Sequence, residues 1–97
     1  MNYLTLDELK KQLIVDADFH DDDDYITALG DAAEQLVEQY IDKLLADVVS
    51  DYNGALPAPL RQAMKMIVEY LYDNRGSGEN EIPDAVFLMI KLYRNYH

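Results

Sequence analysis

Apolar positions recur at helical spacing in four stretches of this chain. Leu6, Leu9 and Leu13 share one face of a short first helix. Thr5-Leu6-Asp7-Glu8 opens it as a capping box, in which the Thr5 hydroxyl accepts from the Glu8 amide and the Glu8 carboxylate reaches back to the Thr5 amide. Leu4 and Leu9 stand at the hydrophobic-staple positions around that box. The β-branched Val15 and the Asp16-Ala17-Asp18 stretch disfavour continuation, so residues 14–20 read as extended or looped. A second helix starts within Asp21–Asp24, where Asp21 or Asp22 can cap free amides and the following carboxylates suit the positive end of the helix dipole. Its apolar stripe runs Ile26, Leu29, Ala33, Leu36, Val37, Tyr40, Ile41, Leu44, with Asp31, Glu34, Glu38 and Asp42 opposite. Gly30 lies inside this pattern at a cost of about 1 kcal/mol relative to alanine.

Residues 48–55 fit either an extension of the second helix or a short extended stretch, ending at the turn signal Asn53-Gly54. Leu56-Pro57-Ala58-Pro59-Leu60 opens a third helix that runs to about Asn74, because a first turn does not need the proline N–H. Leu60, Ala63, Met64, Ile67 and Leu71 form its stripe, and Met66, Val68, Tyr70 and Tyr72 widen the apolar surface beyond it. A helix apolar on most sides is central in a core or faces a second surface. Arg75–Glu81 reads as a flexible loop. A fourth helix begins around Ile82-Pro83-Asp84, with Val86, Phe87, Ile90 and Tyr93 on one face and Leu88 and Leu92 away from it. The expected fold is therefore all-α: a small bundle of about four helices, one short N-terminal helix, two long helices and a C-terminal helix, in a single domain over residues 1–97.

Charge sharpens this picture. The net charge is −11, and residues 1–56 carry 3 Lys/Arg against 14 Asp/Glu while residues 57–97 carry 5 of each. The whole imbalance lies in the first part of the chain. Gripping a phosphate backbone needs Lys and Arg to displace counterions, so a conventional DNA- or RNA-binding module is disfavoured. There is no cysteine, which excludes disulfides and thiolate metal sites. No apolar run reaches the length of a membrane span, and residues 1–15 mix acids into an amphipathic pattern rather than following a signal-peptide layout. The expectation is a soluble protein made in the cytoplasm.

Six of the nine residues from Asp16 to Asp24 are acidic, which raises Ca²⁺ or Mg²⁺ binding. Aligned from Asp16 as an EF-hand loop, the run places Asp21 where glycine is needed and Thr27 where a bidentate Glu is needed. No metal site is expected, and helix capping with a solvated acidic face is the favoured reading. His20 and His97 have no ligand spacing, no serine sits in a Gly-x-Ser-x-Gly elbow, and Gly76-Ser77-Gly78 lacks the lysine of a phosphate loop. Neither an enzyme nor a cofactor is expected. Tyrosine is abundant, with Tyr70, Tyr72, Tyr93 and Tyr96 in the charge-balanced part, and its apolar body with a polar tip suits protein contacts. A small acidic DNA mimic that inhibits a DNA-binding protein is the rival reading, although a mimic would not leave residues 57–97 neutral.

The order of parts resembles one family. Leu4-Thr-Leu-Asp-Glu-Leu-Lys10, Leu13-Ile-Val-Asp16, the aspartate cluster and a long amphipathic helix come first. Leu56-Pro-Ala-Pro-Leu-Arg-Gln-Ala63, an apolar helix ending Tyr70-Leu-Tyr-Asp-Asn-Arg75, and Ile82-Pro83 through Leu92-Tyr-Arg94 follow. Together they resemble the head–tail connector (DNA-packaging adaptor) proteins of tailed bacteriophages and prophages. One departure is that Tyr40-Ile-Asp-Lys-Leu-Leu45 continues where the family often has an aromatic followed by Gly-Arg. The resemblance implies a structural subunit of a homo-oligomeric ring in the virion neck, made in the host cytoplasm. Its partners would be the portal protein, the next neck or tail-completion protein, and DNA as a non-specific passenger, with no membrane. It also implies portal contact through residues 82–97, where Phe87, Leu88, Leu92, Tyr93, Arg94 and Tyr96 are the candidate portal or subunit contacts. Asp21, Asp22, Asp23 and Asp24, or the acidic face of the second helix, are the candidate acidic channel or rim surface, because like charge keeps passing DNA off a wall.

Overall fold

The computed structural model describes residues 3–73 and 82–93. Five α-helices follow one another: α1 (Leu6–Leu13), α2 (Asp23–Ile41), α3 (Leu45–Asp51), α4 (Ala58–Asp73) and α5 (Asp84–Ile90), closed by a 3₁₀ turn at Lys91–Tyr93. The all-α expectation holds, and there is no strand among the described residues. The expected third and fourth helices are α4 and α5, because an additional short helix, α3, forms before them.

α1 begins as its capping box requires: the Glu8 amide donates to Thr5 Oγ1 at 3.2 Å, and the Thr5 amide donates to Glu8 Oε2 at 3.1 Å. The staple residues Leu4 and Leu9 are both buried. α1 ends at Ile14, which takes the left-handed conformation at φ 58° and ψ 42°. α2 stops at Ile41 rather than reaching Leu44, because Asp42 also turns left-handed at φ 54°. Aspartate tolerates that region better than most residues. Glu38 then receives the Leu45 amide at 2.9 Å, which caps the start of α3. Lys43 pairs with Asp51 at the far end of α3. Leu44, expected on the buried stripe of the second helix, is instead 61% exposed at this corner, while Leu45 and Val48 are buried. Asn53 and Gly54 both have positive φ, as the turn signal demanded.

α2 and α4 make the most extensive contact in the molecule, with α1 packed on both and α5 packed on α4. Ile26, Ala33, Val37 and Ile41 from α2 meet Leu60, Met64, Ile67 and Val68 from α4 in the buried core, which Leu9, Val86 and Ile90 extend to either side. α4 is thus the central helix, and much of its wide apolar surface is used internally: Met66, Leu71 and Tyr72 pack against the core.

Candidate functional site

The acidic run folds around one cation. Lys10 sits on the same side of α1 as the apolar stripe, and its residue is only 3% exposed. Its ammonium lies 2.6 Å from Asp23 Oδ1 and donates to the carbonyls of Phe19 at 2.7 Å and Ala17 at 3.4 Å. His20 Nδ1 is 3.5 Å from the same ammonium and 2.9 Å from Asp23 Oδ2. The buried Lys10 ammonium is thus satisfied by two loop carbonyls and one carboxylate, as a buried charge must be. The Asp23 carboxyl is held below its usual range, first by the hydrogen bond from Lys10 and then by that from His20.

The four candidate rim aspartates divide. Asp22 is the residue before α2, but its side chain makes no cap bond; at φ −103° and ψ 9° the backbone is out of the extended conformation of a capping residue. Its Oδ2 instead accepts from the Tyr72 hydroxyl at 2.6 Å, tying the start of α2 to the end of α4. The expected cap by Asp22 is therefore replaced by a tertiary hydrogen bond. Asp23 belongs to the Lys10 cluster, and Asp21 and Asp24 are exposed. Among the described residues, no group of three or more His, Asp or Glu is placed to hold a metal ion.

Glu34, assigned to the outer polar face of the second helix, is structural, and the capping-box residue Glu8 has a second role. Glu34 is buried, and its Oε2 accepts from the amides of Tyr3 at 3.0 Å and Leu4 at 3.1 Å. Arg61 donates to the Tyr3 carbonyl at 2.9 Å and pairs with Glu8. Burial pushes the Glu8 carboxyl up, but the Thr5 amide and the Arg61 and Lys65 charges outweigh it, and the net direction is down. The true outer face of α2 is the line Asp24, Ala28, Asp31, Gln35, Gln39 and Asp42, all exposed. It spans about 27 Å at the helical rise. α2 contains no Lys or Arg.

The second candidate surface is α5. Val86 and Ile90 are buried, Phe87 is half-buried with its ring 4.8 Å from that of Tyr40, and Tyr93 stacks edge-on against Tyr52 at 5.8 Å. Phe87 and Tyr93 thus fasten α5 to the rest of the molecule. Leu88, at 66% exposure, is the candidate that faces outward, joined by Met89, which the sequence pattern did not single out. Arg94 and Tyr96 lie outside the described residues, as does the Leu92 side chain and the 75–81 loop. Between α4 and α5 an open cleft of about 240 Å³ is lined by Met66, Tyr70, Pro83, Ala85 and Val86, with the carboxylates of Glu69 and Asp73 at its edge.

The polar groups so described cap helices and close seams, and the surface includes the acidic line of α2 and the exposed apolar side chains Ile14, Phe19, Leu44 and Leu88. Residues 3–94 match the family model described as Phage gp6-like head-tail connector protein, and the chain belongs to that family of phage structural connectors. No curated protein and no solved structure matches the chain. Among the described residues, no helix is long and apolar enough to cross a membrane.

Proposed function

We propose that the chain, as one connector domain, is the repeating subunit of a homo-oligomeric ring in the virion neck. The ring joins the portal protein to the next neck or tail-completion protein and lets DNA pass through its centre. Family membership over residues 3–94 carries this reading. The exposed face of α2 supports the passage of DNA: Asp24, Asp31 and Asp42 stand along it without an interleaved cation. Such a wall repels the duplex and so leaves it mobile, an effect that weakens with salt. Of the two candidate channel surfaces, this reading takes the face of α2 rather than the whole Asp21–Asp24 run, because Asp22 and Asp23 are engaged within the fold.

The deciding experiment is co-purification with the portal protein encoded in the same genome, followed by mass measurement of the complex. A ring of this chain on the portal is the expected result. A monomer that ignores the portal and instead competes with DNA for a basic protein sinks the connector ring in favour of the DNA-mimic reading. Within an assembled ring, Asp24→Lys together with Asp31→Lys should slow DNA exit, with the largest effect at low ionic strength.

A further inference from the structure

We infer that consecutive copies of this chain meet through two different surfaces: the corner bearing Ile14 and Phe19 on one copy, and the outer face of α5, bearing Leu88 and Met89, on the next. This contact deepens the ring reading and rests on it. The first surface is unusual in its chemistry. Ile14 is 93% exposed and holds a left-handed backbone that a β-branched residue rarely adopts. Helices normally end this way on glycine or asparagine. Phe19, in the same loop, is also exposed. The corner is held firmly, because the Lys10 ammonium bonds the Phe19 carbonyl and the Asp23 carboxylate. A rigid loop that projects two apolar side chains gains nothing from them in water.

The second surface has matching character. α5 turns Val86 and Ile90 inward, which leaves Leu88 and Met89 outward with the exposed Lys91 one helical turn beyond Leu88. Lys91 has no ion-pair partner among the described residues. The corner carries the exposed Asp16, Asp18 and Asp21, so apolar groups meet apolar groups and the lysine meets carboxylates.

Placement also fits. α4 meets α1 through Arg61 and Glu69, which bond Glu8 and Gln12, and borders α5 through Met66 and Tyr70. The two surfaces belong to different elements, the loop between α1 and α2 and the outer face of α5, as a head-to-tail contact needs. Charge selects the same pairing. A symmetric contact through residues 1–56 would face two halves of net −11, whereas this one sets the acidic half of one copy against the neutral half of the next.

The test uses two variants at exposed positions. Ile14→Gly removes the projecting side chain while suiting the left-handed backbone, and Leu88→Glu charges the face of α5. Sedimentation velocity is run at concentrations up to about 1 mM, where even a weak contact registers. The wild-type chain should associate beyond dimers, and each variant alone should associate at least about tenfold more weakly, the scale of losing one buried aliphatic side chain. An equimolar mixture keeps one intact corner and one intact α5 face, and should give a dimer that grows no further. If both variants associate like wild type, or their mixture stays monomeric, the contact is wrong while the ring stands. A wild-type chain that remains monomeric throughout overturns the contact, while the ring is decided separately by co-purification with the portal.

Discussion

Lys10 shows how much one side chain organises here. Its ammonium gathers the Phe19 and Ala17 carbonyls and the Asp23 carboxylate, so the aspartate-rich loop is built inward around a cation. Lys10→Met keeps the length of the side chain but loses a charged hydrogen bond worth about 1.5–3 kcal/mol at the Phe19 carbonyl alone. Chemical denaturation should show at least that loss. Ile14→Gly should act in the other direction, raising the stability of the monomer by about 1 kcal/mol as the left-handed strain is released. Asp23 and Glu8 both titrate below their ordinary range in the folded chain. The unfolded chain therefore binds more protons there, so their contribution is complete above the ordinary carboxylate range and disappears as pH falls through the depressed values. Thermal melts from about pH 6 down to about pH 2 should fall less steeply for Asp23→Asn than for wild type. The aspartates were legible as a helix boundary, but Lys10 was not singled out. The available signal was its position, four residues after Leu6 and three before Leu13, where a cation shares the apolar face.

At the scale of elements, the periodic parts were readable and the tertiary polar contacts were not. The capping box of α1 is local chemistry, and Thr5 and Glu8 meet as their spacing dictates. The end of α2 is decided by other means. The apolar stripe continues to Leu44 in the sequence, but Asp42 breaks the helix and the carboxylate of Glu38 starts the next one. Glu34 could not be placed inside from its spacing, because its partners, the Tyr3 and Leu4 amides, are about thirty residues away. Asp22 likewise left its capping role for Tyr72. Tyr72→Phe should cost about 1 kcal/mol in denaturant unfolding while preserving the ring contact with Tyr25, centroids 6.2 Å apart. On α5, Leu88 faces outward as its register indicated, while Phe87 and Tyr93 place their rings against Tyr40 and Tyr52.

For the whole molecule, the asymmetry of charge sets behaviour in solution. Copies carrying −11 repel one another at long range, and salt screens that repulsion more than it weakens apolar contacts. Self-association should therefore strengthen on raising ionic strength from low to physiological, which light scattering across a salt series would register. A contact made chiefly of exposed ion pairs would give the opposite trend. The same charge predicts no retention of double-stranded DNA in a mobility-shift experiment at physiological salt, since the described acidic stripe of α2 offers phosphates no cation.

The aromatic seam between α5 and α2 has a practical outcome. The chain contains no tryptophan, so its native emission comes from tyrosine alone. Phe87→Trp would install a single fluorophore in a half-buried place beside Tyr40, close enough to receive its excitation energy. A blue-shifted spectrum would report α5 seated, and a red shift its departure. With Leu88 next in sequence, that one indole would also sense a neighbour arriving on the outer face of the helix, turning assembly into an optical signal.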